Sequence, residues 1–187
     1  MKRFRHFVLA CLCALSAVAF AQSAPPESRQ FDFLLGQWDL EVHPKVSGIA
    51  AAIHGAPRLT GTLKARRTLD GLAIEDETRV VDASGNPISF SHALRTYSKG
   101  EARWKVGGLD VFRSRFSESS GTFQGGEMRL NGRGFDPEGH PVLTRVRYYD
   151  IGADAFRIQQ DRSSDEGRTW DEGVVTISAR RVAPAGK

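Results

Sequence analysis

Apolar and polar residues alternate along this chain in short runs with a period of two. That is the spacing of a strand with one buried face. In Leu72–Val81, Leu72, Ile74 and Val80 share a side with Asp76, while Glu75, Glu77 and Arg79 take the other. In Val142–Ile151, Val142, Val146 and Tyr148 oppose Leu143, Arg145, Arg147 and Tyr149. In Phe156–Ser163, Phe156 and Ile158 lie with Gln160 and Arg162. The same reading predicts strands over Trp38–Lys45, Leu59–Leu69, Ile88–Tyr97, Glu101–Gly107, Leu109–Glu118, Gly121–Gln124, Glu127–Phe135 and Gly173–Val182. Asp70-Gly71, Ser84-Gly85-Asn86-Pro87, Ser98-Lys99-Gly100, Gly107-Gly108, Gly125-Gly126 and Asp136–Gly139 punctuate them with residues that tolerate positive φ or fix it. No long stretch at helical spacing interrupts this rhythm. The one exception is Ser47–Pro57, whose Ala50–His54 run reads as a short helix, an apolar flap over a barrel mouth or a plain surface loop. A meander this long hides its edges by closing on itself. The expected fold is all-β: a closed antiparallel up-and-down barrel of about eight to ten strands over residues 30–183.

The start of that domain differs in kind. Phe31, Leu34 and Leu35 stand at i, i+3 and i+4, so one helical turn presents them together. Gly36 ends the turn in a left-handed conformation, and Trp38 begins the first strand. This predicts a short N-terminal plug seated in one end of the barrel, with Phe31, Leu34, Leu35, Gly36 and Trp38 in structural roles. On Phe31-Asp32-Phe33-Leu34-Leu35-Gly36-Gln37-Trp38, the chain resembles the exported bacterial lipocalin-like proteins of the calycin superfamily, of unknown function, that begin Phe-Asp-Phe-Leu-x-Gly-x-Trp. The strand rhythm extends the likeness over most of 30–182. The resemblance implies a lipocalin-like barrel. The related nitrobindin-like haem proteins share Leu-x-Gly-x-Trp and hold haem through a histidine near the C-terminal end. This chain has no histidine after His140, so that likeness does not carry a haem with it.

Residues 1–21 have the three parts of a secretory signal. Lys2, Arg3 and Arg5 form the positive region, Phe7–Phe20 is apolar, and Ala19-Phe20-Ala21 is a small-x-small cleavage site. The apolar run is short for a membrane span of ~20 residues. Cys11 sits in a weak lipoprotein box with too few apolar residues before it. The expected product is periplasmic or secreted, with no stable membrane insertion after signal removal. Residues 22–29 read as a disordered lead-in and 184–187 as a tail. The net charge of +4 comes mostly from the signal, so the mature chain is close to neutral. It has no clustered basic run, and a nucleic-acid partner is not expected. Both cysteines, Cys11 and Cys13, lie in the signal, which excludes disulfides and thiolate chemistry from the mature chain.

Ser163–Trp170 matches the Asp-box, Ser-x-Asp-x-Gly-x-Thr-Trp, a self-contained hairpin turn. Asp165 accepts amide hydrogens, Gly167 takes the strained backbone and Trp170 packs over the loop. Sialidase-like propellers repeat this box in every blade, and a single copy predicts a turn and no propeller. Gly-x-Ser-x-Gly, Gly-x-Gly-x-x-Gly and the phosphate-binding loop are absent, and no histidine pair has metal-ligand spacing. No cofactor or metal is expected. His92, between Phe90 and Leu94 on a shared face, is the best candidate for an inward histidine. Asp76, if inward, is positioned to meet Arg162 or His92. The expected ligand-facing set is His92, Asp76, Gln160, Tyr148 and Trp104, lining a semi-polar interior. The function expected from these features is non-catalytic binding of a small, mostly apolar ligand inside the barrel. The alternatives are a small hydrolase-like enzyme using an inward acid and histidine, and a packed scaffold barrel without a pocket. The sequence does not determine the oligomeric state.

Overall fold

The structure is a computed structural model that describes residues 24–46 and 55–183. The signal segment, Ser47–His54 of the proposed flap and the 184–187 tail lie outside the described residues. Ten strands follow in order: β1 (Gly36–Pro44), β2 (Leu59–Thr68), β3 (Ala73–Val81), β4 (Pro87–Ser98), β5 (Arg103–Asp110), β6 (Arg115–Gln124), β7 (Glu127–Phe135), β8 (Pro141–Tyr149), β9 (Ala155–Ser163) and β10 (Asp171–Arg181). Each pairs antiparallel with its sequence neighbours, and β10 pairs with β1 to close the barrel. Closure leaves no sheet edge with unpaired amides.

The expected Glu101–Gly107, Leu109–Glu118 and Gly121–Gln124 segments resolve into two strands. Gly107 and Gly108 lie inside β5, and the reversal comes at Val111–Ser114 instead. There Asp110 accepts the Arg113 amide at 3.1 Å, and Ser114 takes a φ of 50°. Gly125-Gly126 makes its turn as expected, with both residues at positive φ. Gly121, inside β6, answers to the curvature of the wall. A Cβ there would run into the Arg129 carbonyl of β7.

One alternating set of residues faces inward all the way round. Register links Trp38 to Leu63 and Arg181, Ile74 to Arg95, Tyr97 to Trp104, Met128 to Tyr148 and Phe156 to Ala179. The outward set is charged over most of the surface. Across β4 to β7 it also carries Leu94, Phe116 and Phe135, with Phe116 74 % exposed.

The plug is present. Asp32–Leu34 forms a 3-10 turn, and Gly36 follows at a φ of +113°. Phe31 and Leu34 are completely buried, and Leu35 is half-buried against the core. Trp38 Nε1 donates to the Leu34 carbonyl at 2.8 Å. Phe31 meets Trp104 edge-on at 4.8 Å between ring centres, and Trp38 meets Phe156 at 4.7 Å. A further 3-10 turn, Pro26–Arg29, buries Ser28, so order reaches into the stretch expected to be a disordered lead-in. Two inward arginines tie the plug down. Arg67 pairs with Asp32 and donates to the carbonyls of Gly71 and Ser28, at 3.1 and 3.3 Å. Arg181 donates to the Leu35 carbonyl at 2.7 Å and covers the Trp38 ring.

Candidate functional site: the barrel interior

Ten strands make a barrel too wide for wall side chains alone to fill, since about eight already enclose a side-chain-filled centre. The plug supplies the missing volume at one end only. There Phe31, Leu34, Trp38, Ile74, Trp104, Met128 and Phe156 pack without accessible surface worth counting. Towards the other end the inward residues Val106, Val146, Ile158, Val175 and Ile177 are only half-buried, although they point into the barrel. The chamber they line has two unlike walls. Leu40, Val42, Ile158, Val175 and Ile177 give β1, β9 and β10 an aliphatic surface. Ser89, Ser91, Ala93, Gly108, Ser119 and Gly132 make the β4–β7 wall small and polar.

Asp76 and Arg95 form the floor between plug and chamber. They are an ion pair, each side chain at most 6 % exposed. Thr78 Oγ1 donates to Asp76 Oδ1 at 3.4 Å, and Arg95 reaches across to the Tyr148 hydroxyl at 3.5 Å. The Arg95 guanidinium also lies 5.4 Å from the Phe31 ring centre, and its Nε has no hydrogen-bond partner. Two buried charges persist only when each compensates the other.

Of the five residues expected to face a ligand, four point inward. Asp76 does so, but its partner is Arg95, not His92 or Arg162. Tyr148 is buried in the aromatic cluster with Phe31, Phe33 and Phe156, and its hydroxyl faces Arg95. Trp104 is sealed in the packed end, where its Nε1 donates to the Gln30 side chain at 3.1 Å. Gln160 faces the chamber, beside Val146 and Val175 in register, and makes no side-chain hydrogen bond among the described residues. His92 is the exception. It pairs with Glu77 and Leu109 on the outer face, and borders a shallow outer groove with Lys64, Arg66 and Glu75. Its face is apolar through Phe90 and Leu94, yet that is the outward face of β4. Sequence reasoning missed Arg95, which belongs to the alternate set Ser89, Ser91, Ala93, Arg95, Tyr97. The signal that finds it is Ile74 opposite Arg95, available only once register is known.

The turn Ser163–Trp170 stands apart on the rim. Asp165 accepts from Thr169 Oγ1 at 2.6 Å, the Thr169 amide at 2.9 Å and Ser163 Oγ at 2.8 Å. Those bonds, the Thr169 hydroxyl first, hold its carboxyl well below the usual carboxylate range. Trp170 Nε1 donates to the Gly167 carbonyl at 3.1 Å, and Gly167 has a φ of +89°. Arg145 stacks over the Trp170 ring at 3.7 Å. The side chains of Ser163, Asp165, Thr169 and Trp170 all bond within the turn itself.

No family model and no curated protein sequence matches this chain. The barrel is similar in structure to Rv2717c from M. tuberculosis, at 11 % identity and a TM-score of 0.61, covering 86 % of this chain and 100 % of that one. It is also similar to the S-type phycobiliprotein lyase CPES from Guillardia theta, at 10 % identity and a TM-score of 0.54, covering 84 % and 93 %. At these identities the likeness shows the fold. Among the described residues, no helix is long and apolar enough to cross a membrane.

Proposed function

We propose that this protein is an exported, non-catalytic member of the lipocalin-like barrels that holds one small, mostly apolar molecule in its open half. The signal-like residues 1–21 support delivery to the periplasm or beyond. The observation that carries the binding role is the incomplete burial of inward Val106, Val146, Ile158, Val175 and Ile177. Aliphatic side chains left facing an internal space are the usual lining of a ligand site. An enzyme built on an inward acid and histidine is not supported: Asp76 is committed to Arg95 inside, and His92 lies outside. A scaffold without a pocket describes the plugged end alone.

Nile red fluorescence tests the reading. The wild type should take up the dye saturably. Val146→Trp should suppress uptake while leaving the cooperative unfolding transition in place. Native mass spectrometry of protein from its own host should show a co-purified small molecule that competes with the dye. A wild type that takes up no dye and carries no molecule would overturn the proposal.

A further inference from the structure

We infer that the molecule held in the open half carries an anionic oxygen group, a carboxylate, sulfonate or phosphate, and that Arg162 of β9 receives it. This rests on the binding role just proposed and adds the chemistry of the ligand. Arg67, Arg95, Arg115, Arg162 and Arg181 have the inward register. Arg67 and Arg181 hold the plug, and Arg95 is neutralised by Asp76. Arg115 donates to the Asp136 carbonyl at 3.3 Å and lies over the Phe135 ring. The Arg162 side chain makes no hydrogen bond and no ion pair among the described residues, although it is half-buried inside the wall.

The two acids of inward register at that end are already engaged. Asp171, opposite Arg162 in register, is bound by Lys45 at 2.6 Å. Asp110 is bound by Arg113 at 2.9 Å. Arg162 is therefore the one inward guanidinium left without a side-chain hydrogen-bond partner among the described residues. Its neighbours add uncharged hydrogen-bonding groups: the Thr144 hydroxyl beside it in register and the Gln160 amide two positions deeper. A guanidinium with five N–H groups, next to an amide and a hydroxyl, matches an oxyanion head. A concave wall with reduced solvent strengthens that attraction over the same pair on the outer surface. Below lie Val146, Ile158 and Ile177, which suit an apolar body. The ligand thus sits with its charged head near the mouth and its apolar end towards the Asp76–Arg95 floor.

The test is displacement of Nile red by dodecanoate and by dodecanol, which share a chain and differ in head charge. Arg162→Met should weaken dodecanoate by about tenfold or more, the scale of one charge-assisted hydrogen-bonded contact. It should leave dodecanol within about twofold, the margin for a substitution that removes no contact to it. Arg162→Lys should recover part of the dodecanoate affinity. On the wild type, added salt should weaken dodecanoate and spare dodecanol, a readout that needs no variant to fold. Equal effects on both ligands, or none on dodecanoate, would overturn the inference and leave the binding role intact. A wild type that admits neither dye nor dodecanol removes both.

Discussion

The two ends of this barrel share the same ten strands and the same inward alternation, yet one is filled and the other is not. At the plugged end, Phe31 and Leu34 enter from outside the sheet and complete the packing around Trp38, Trp104 and Phe156. At the open end the strands contribute Ser91, Gly108, Ser119 and Gly132, and the inward aliphatic residues beside them are only half-buried. Alternation therefore decides which side chains point in. Whether the inside is solid depends on a segment that belongs to no strand. The inward arginines beside the plug are all engaged; at the open end Arg115 is held by the Asp136 carbonyl, and Arg162 makes no side-chain bond among the described residues.

Three tests sharpen or break this contrast. The largest effect is expected at the floor. Asp76→Ala leaves Arg95 buried without its counter-charge and should cost about 3–5 kcal/mol in urea unfolding. Replacing both, with Asp76→Leu and Arg95→Met, should recover most of that loss. A small loss in the single variant would mean that water already reaches the pair and that the floor is not closed. The next is a matched pair of glycines. Gly121→Ala, on the curved wall beside Trp104, should cost about 1–3 kcal/mol, because its Cβ meets the Arg129 carbonyl. Gly134→Ala, near the mouth, meets only Thr144 and Ser117 atoms at 3.7 and 3.9 Å. It should be neutral or stabilising by up to about 1 kcal/mol. Equal costs would erase the distinction between the two ends.

The smallest effect belongs to the rim turn. Asp165 is held below its ordinary range, chiefly by the Thr169 hydroxyl, then the Thr169 amide and Ser163. Its contribution is complete above the unfolded pKa of about 3.9 and is withdrawn as pH falls through the lower folded value. In a carboxyl-carbon NMR titration, the Asp165 midpoint should lie well below the usual aspartate range, and Thr169→Val should move it upward. A midpoint in the normal range in the wild type would contradict the hydrogen-bonding pattern.

Much of the barrel was legible from period-two alternation, because a strand covered on one face writes that face into its sequence. The inward placement of Asp76, Tyr148, Gln160 and Arg162 followed from it. β4 was misread because its apolar residues Phe90 and Leu94 lie on the outside, while Ser89, Ser91 and Ala93 lie inside. A chamber wall that leaves room is built of small residues, so hydrophobicity points the wrong way there. The Val111–Ser114 reversal carries no glycine, proline or asparagine, and Gly107-Gly108 drew the turn prediction instead. The Asp76–Arg95 pair was out of reach because it depends on register between two strands.

The β1–β10 seam has a consequence for how the chain reaches this shape. The other pairings join consecutive strands and can form as local hairpins. The seam joins the two extremes of the domain: Arg181 meets Leu35 across 146 positions. Loop-closure entropy makes such a contact slow. Circularisation should therefore be the late step in folding, with the final hoop drawn tight around a plug whose own anchor, Arg181, arrives with the last strand.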